Sequence, residues 1–197
     1  MNRLGILLSG RGSNFEAIAK NCASGALPAE IAVVISNVPE AKGLETARSM
    51  GLATSSLPSK GAERQDYDRQ LASILRERRV DLVCLAGFMR LITHELLTEF
   101  PQKILNIHPS LLPAFPGLHA QRQALDYGVK VSGCTVHFVD EGLDSGPIIA
   151  QSAVAVLESD TEQTLSERIL VQEHLLYSEA IREVLAGRIT YRKRRVS

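Results

Sequence analysis

Lys103-Ile104-Leu105-Asn106-Ile107-His108-Pro109 carries an amide and an imidazole at alternate positions of a largely apolar run that ends in proline. A run this short and apolar reads as a buried strand. Side chains two apart on a strand share a face, so Asn106 and His108 point the same way. Pro109 keeps His108 extended and stops the strand, which sets both polar groups at its carboxyl end. In open α/β sheets that end is where ligands bind.

Beyond residues 104–107, the pattern predicts strands over residues 4–8, 31–35, 80–85 and 131–139. Helices are expected over 15–24, 41–50, 64–79 and 161–186, with Gly-, Pro- and Asn-containing breaks between elements. The alternation predicts an α/β fold. It implies a mostly parallel twisted sheet with helices on both faces and a Rossmann-like N-terminal half. The Pro-rich segment 109–117 fits neither element and is expected to be an ordered loop over the ligand edge. No repeat or linker interrupts the chain, so residues 1–197 are expected to form a single domain.

Lys plus Arg and Asp plus Glu number 22 each, so no global field favours nucleic acid or an anionic membrane. The basic cluster of Arg188 and Arg192-Lys193-Arg194-Arg195 reads as a solvated tail. Cys22, Cys84 and Cys134 are odd in number and lack a CxxC pair, which argues against a disulfide framework or a zinc site. Residues 4–8 are too short for a signal-peptide core, and no apolar run approaches membrane-spanning length. The expectation is a soluble cytoplasmic protein, monomer or homodimer, that acts on small molecules and needs no metal, nucleic acid or membrane.

Ser9-Gly10-Arg11-Gly12-Ser13-Asn14 follows the first strand and opens a helix. Its glycines let backbone approach an anion, and amides at a helix start bind phosphate. Ser13 or Asn14 is also a candidate helix cap, and the two roles are compatible. Phe15 stands where a dinucleotide fingerprint has its third glycine, and Ser36-Asn37 lacks the ribose-binding acid. A Gly-Lys-Ser/Thr ending is missing too. The loop therefore fits a phosphomonoester better than NAD or ATP. Arg11 has two readings, a charge near the phosphate or a side chain in solvent.

Asn106-Ile107-His108-Pro109-Ser110-Leu111-Leu112-Pro113, answered by Leu143-Asp144-Ser145-Gly146, resembles the active-site signature of the folate-dependent formyltransferases. Pro116-Gly117-Leu118-His119-Ala120 looks like the branch acting on glycinamide ribonucleotide, and with the Leu8–Asn14 loop the resemblance covers essentially the whole chain. It implies transfer of a formyl group from 10-formyltetrahydrofolate to the ribonucleotide amine, a step of purine biosynthesis. Residues of about 1–100 would then hold the nucleotide phosphate, and about 101–197 the catalytic and folate groups.

Such a reaction passes through a tetrahedral oxyanion, and needs donors aimed at it and a group that manages protons as the folate nitrogen leaves. Asn106 offers an amide donor. His108 donates to the oxyanion or serves as general acid, and Asp144 is the carboxylate that would favour its cation. The substrate amine attacks directly, so no protein nucleophile is required.

By resemblance Gly12, Ser13 and Asn14 form the ribonucleotide phosphate site, and Glu173 meets the ribose hydroxyls. Some relatives are polar at the position of Leu170, so a contact there would come from backbone. A solvated helix face is the alternative reading of Glu173, beside His174. The stretch Met89, Arg90, Leu91 and Ile92 and the loop Asp140, Glu141, Gly142, Leu143 and Asp144 would enclose the folate. Asn106 belongs to that set, and Arg90 would face the folate's acidic tail. Arg64 is either a further folate contact or an ordinary first-turn helix residue, and Phe88 fits core packing as well as a ligand slot. His119 is expected to organise the active-site loop. His137 is either a buried hydrogen-bonded histidine or a neighbour of Asp144, and His94 lies at a helix start.

The sibling activities fit less well. Methionyl-tRNA formyltransferase would need a further basic domain, and formyltetrahydrofolate hydrolase an added N-terminal regulatory one. A non-catalytic nucleotide-binding module on the same sheet would leave the Asn, His and Asp set without a purpose.

Overall fold

The computed structural model describes residues 1–189, 191, 192, 195 and 196. It comprises two compact units, Met1–Asn106 and Ile107–Ser197.

In the first unit, parallel strands lie in the order β3-β2-β1-β4-β5. They are β1 (Asn2–Leu8), β2 (Ala29–Ser36), β3 (Thr54–Ser56), β4 (Leu82–Leu85) and β5 (Ile104–His108), the last running on into the second unit. Leu4, Gly5, Ile6, Leu7 and Leu8 are all buried. Because successive side chains face opposite sides, both faces of the sheet must be covered there. Helices α1 (Ser13–Ala23), α2 (Lys42–Ser49), α3 (Arg64–Glu77) and α4 (His94–Glu99) follow β1, β2, β3 and β4. Gly5 lets α3 press close, since a Cβ there would stand 2.5 Å from Leu75 Cδ2. Glu63 fixes where α3 starts, its carboxylate accepting the Gln65 and Asp66 N–H groups at 2.7 and 3.0 Å.

The chain runs outward from β1 through β2 to β3, then returns past β1 to β4. That reversal makes a topological switch point between β1 and β4. The loops after these two strands flank the crevice in which such sheets bind ligands.

In the second unit, β6 (Val131–Phe138) and β7 (Ile148–Ala155) pair antiparallel, with α5 (Ala120–Tyr127) before them and the long α6 (Glu162–Leu185) after. A capping box between Thr161 and Thr164 starts α6, and Ala186 ends it. Both bounds match the sequence expectation. Parallel strands with helices, joined by one antiparallel pair, are the α/β, mostly parallel arrangement expected. The expected basic tail contains a short pair, β8 (Tyr191–Arg192) and β9 (Arg195–Val196), with the Tyr191 ring 4.7 Å from that of Phe138. Arg188 is bound to the Glu183 carboxylate by two contacts of 2.6 and 2.7 Å. Lys193, Arg194 and the side chains of Arg192 and Arg195 lie outside the described residues. Among the described residues no helix is long and apolar enough to cross a membrane.

Candidate active site

Strand β5 carries Asn106 half-buried and His108 buried, two apart and so on one face. Both ring nitrogens of His108 meet acceptors within the second unit. Nδ1 lies 3.3 Å from Asp144 Oδ2, and Nε2 lies 2.9 Å from the Phe115 carbonyl oxygen. A neutral imidazole has one N–H and an imidazolium two. Both contacts are therefore hydrogen bonds only when the ring is charged, and a neutral ring loses one of them.

Asp144 is placed by its own backbone and by a neighbouring loop. It sits at φ +48°, a left-handed conformation that aspartate tolerates. Its Oδ2 also accepts the Gly117 N–H at 2.8 Å. On the other side, His137 Nε2 stands 3.8 Å from Asp144 Oδ1, while His137 Nδ1 lies 2.8 Å from the Phe138 carbonyl. That carbonyl can only accept, so Nδ1 carries the proton. Burial pushes the His137 pKa below its ordinary value, outweighing the Phe138 carbonyl and the Asp144 charge that favour the cation. His137 is thus both a buried hydrogen-bonded histidine and a neighbour of Asp144.

The segment 109–117 is the ordered loop expected. Its shape comes from side chains bonded to its backbone. Ser110 Oγ donates to Ala114 O at 2.6 Å, and Thr135 Oγ1 donates to Ser110 O at 2.7 Å while accepting the Leu112 N–H at 3.0 Å. Gln151 reaches Leu112 O at 2.9 Å, and Gln123 reaches Leu118 O at 2.9 Å and Pro116 O at 3.2 Å. The His119 side chain is exposed and makes none of these bonds. Its contribution is a backbone at φ +57°, whose carbonyl receives the Gln123 N–H and begins α5. Thr135, Gln123 and Gln151 escaped the sequence reading because each acts through side-chain bonds to the loop, which no spacing in the sequence gives away.

The companion loop is held in the same way. Asp140 Oδ1 accepts from Ser145 Oγ at 2.6 Å and from the Gly142 N–H at 3.1 Å, which leaves Glu141, Gly142 and Leu143 exposed. On α6, Leu170 is half-buried, and Glu173 is only 7% exposed. The solvated-face reading of Glu173 is thereby corrected. Its charge adds to the burial that raises the Cys134 thiol pKa to about 12.

In the first unit, Gly12 at φ +79° stands at the N-cap of α1, with Ser13 and Asn14 in the first turn. No side chain caps this helix, so Ser13 and Asn14 do not act as its cap. The reason is geometric, since a capping side chain must stand before the first turn. Arg11 is exposed. After β4, Gly87 turns at φ +77°, Phe88 and Ile92 are buried, and Met89 is 66% exposed. Leu91 is also exposed. Arg90 lies with its guanidinium carbon 4.2 Å from the centroid of the Tyr67 ring, and Nη1 is 3.4 Å from Ser59 O. Arg64 is exposed in the first turn of α3. Asp68, which the sequence reading missed, is buried and accepts Thr93 N–H and Oγ1–H at 2.6 and 2.8 Å, fixing the far end of this loop. Among the described residues no group of three or more His, Cys, Asp or Glu is placed to hold a metal ion.

The family described as formyl transferase matches residues 2–181. Over 186 residues the chain is 43% identical to the phosphoribosylglycinamide formyltransferase of Bacillus subtilis, covering 94% of this chain and 95% of that one. It is 45% identical over 189 residues to the trifunctional purine biosynthetic protein adenosine-3 of Drosophila melanogaster, of whose length it spans 14%. Among solved structures, glycinamide ribonucleotide transformylase 1 from Symbiobacterium toebii superposes with a TM-score of 0.97 at 54% identity, covering 100% of this chain and 93% of that one.

Proposed function

The chain belongs to the formyl transferase family, and on that footing we propose that it is a single formyltransferase domain acting on glycinamide ribonucleotide. It moves the formyl group of 10-formyltetrahydrofolate to the ribonucleotide's primary amine, giving formylglycinamide ribonucleotide and tetrahydrofolate in cytoplasmic purine synthesis. The observation that carries this reading is His108 with acceptors at both ring nitrogens, one of them the Asp144 carboxylate.

In this mechanism the amine lone pair forms a bond to the formyl carbon, and the carbonyl electrons move onto oxygen. Asn106 stabilises that oxyanion, joined by a His108 N–H that turns from its loop acceptor, the Phe115 carbonyl. Asp144 Oδ2, 3.3 Å from Nδ1, orients the ring. The intermediate collapses, the bond to the folate nitrogen breaks, and that nitrogen takes a proton while the former amine loses one. Gly12, Ser13 and Asn14 take the 5'-phosphate at the start of α1. Leu170 backbone and Glu173 meet the ribose. Met89, Arg90, Leu91, Ile92 and Arg64 contribute to the folate slot in the first unit, and Asp140, Glu141, Gly142, Leu143 and Asp144 in the second. His119 and His137 act indirectly, through the loop and through Asp144. Arg90, drawn over Tyr67, reads pterin or tail through its backbone more readily than through its charge.

The test is a spectrophotometric assay of 10-formyltetrahydrofolate consumption with and without glycinamide ribonucleotide. Consumption that requires the ribonucleotide is expected. Equal consumption without it would make the protein a hydrolase, and binding of both ligands without consumption would make it a non-catalytic module.

A further inference from the structure

The loops that flank the switch point of the first unit are tied to each other by one residue. Ser9 follows β1 and opens the glycine loop. Its backbone N–H donates to Gly87 O at 2.9 Å, and its Oγ accepts the Met89 N–H at 2.8 Å. An oxygen that accepts in this direction turns its own proton elsewhere, and Ser9 Oγ donates to Asn37 Oδ1 at 2.5 Å. Asn37, just after β2, donates onward through Nδ2 to Ser59 Oγ at 3.1 Å. Ser59 in turn offers its carbonyl to Arg90. The path returns to the loop it left, three residues from Gly87.

This ring of contacts joins the turn that precedes Gly12, Ser13 and Asn14 to the turn that carries Met89 and Arg90. A displacement of Ser9 by about half an ångström lengthens both its bonds to the second loop past good geometry. Hydrogen bonds in series also polarise one another, so loss of the Ser9 hydroxyl weakens the whole set.

We propose that Ser9 is a positioning residue that couples the two substrate loops, so that each substrate binds more tightly when the other is present. The inference rests on the functional reading above, with phosphate on the first loop and folate on the second. A phosphate that fixes the glycine loop fixes Ser9, and Ser9 then presents Gly87 and Met89 in the arrangement the folate needs. Linkage makes the effect reciprocal.

The experiment measures the dissociation constant of tetrahydrofolate by calorimetry, with and without saturating glycinamide ribonucleotide. This product and substrate pair undergoes no chemistry. In the unaltered protein the ribonucleotide is expected to tighten folate binding at least about fivefold. Ser9→Ala is expected to bring that ratio close to one. Asn37→Asp keeps the acceptor for the Ser9 proton and is expected to retain the coupling. Asn37→Ala removes the acceptor and is expected to lose part of it, which also serves as the probe should Ser9→Ala not fold. A Ser9→Ala protein with the unaltered protein's thermal midpoint and the same ratio would overturn the proposal. A ratio of one in the unaltered protein would overturn it equally, although both ligands bind. Binding of neither ligand would instead defeat the functional reading on which it stands.

Discussion

One carboxylate oxygen of Asp144 serves both the His108 imidazole, at 3.3 Å, and the Gly117 amide, at 2.8 Å. The contact that orients the imidazole is thereby also a contact that closes the loop above it. Replacing Asp144 by Asn keeps one oxygen for these donors and tolerates the φ of +48°. It carries no negative charge beside the ring. Asp144→Asn is expected to fold and to lower kcat by about 10² to 10³, with smaller changes in either KM. Steady-state kinetics would reject the assignment if kcat stayed within threefold.

Ser13 and Asn14 lie in the uncapped first turn of α1, where a phosphate would gain charge-assisted bonds. Each such bond contributes about 1.5 to 3 kcal/mol. Ser13→Ala and Asn14→Ala are expected to raise the ribonucleotide's KM about tenfold or more, and to leave the folate's KM at saturating ribonucleotide unchanged. A change confined to the folate would move the phosphate site elsewhere.

His137 supplies a pH dependence whose sign is fixed by burial. Its folded-state pKa lies below its ordinary value, so below about pH 6.5 the unfolded chain binds a proton that the folded one resists. Stability is lost as pH falls through that value toward the folded pKa, and the loss then levels off. His137→Asn keeps a donor for the Phe138 carbonyl and removes the titration. The fall in urea midpoint between pH 7.5 and pH 5 is expected to be smaller in this variant than in the unaltered protein, and an equal fall would contradict the account.

Two glycines are required by sterics alone. A Cβ at Gly133 would stand 2.0 Å from Ser152 O on the paired strand, and one at Gly146 would stand 1.7 Å from Phe138 O. Gly133→Ala and Gly146→Ala are each expected to cost about 3 kcal/mol or more in urea denaturation. Gly25, where a Cβ meets nothing within 4 Å, carries only the penalty of its φ of +78°, about 1 kcal/mol. Equal losses at all three positions would show that the steric argument is wrong.

Burial raises the Cys22 thiol pKa to about 11 and that of Cys134 to about 12, while Cys84 is fully buried. Thiolate is the reactive form. Iodoacetamide at pH 8 is therefore expected to leave these thiols largely unmodified until the protein is unfolded, as mass spectrometry would record.

Strands β1, β2, β4 and β5 were legible because parallel strands covered on both faces are largely apolar, as Leu4 to Leu8 shows. Strand β7 was not. Its Ile148-Ile149-Ala150-Gln151-Ser152-Ala153-Val154-Ala155 is half exposed and rich in residues of low strand preference, and it forms through pairing with β6. The helix α5 and the three-residue β3 are too short to announce a period. At the site, Asn106, His108 and Asp144 were found through motif and strand geometry. The Asp68 anchor and the Ser9–Asn37 bond join residues 25 and 28 positions apart, and a single sequence holds no record of such pairings.

The second acceptor on His108 is the carbonyl of Phe115, a backbone atom present whichever side chain stands at that position. Alanine scanning would therefore pass over it, and Phe115→Ala would report only the ring's edge contact with Tyr127, 5.9 Å away. A search for similar sites that compares side chains alone would miss it for the same reason. Any transplant of His108 and Asp144 into another scaffold would have to bring a carbonyl to the same place, and so would have to copy a loop as well as two residues.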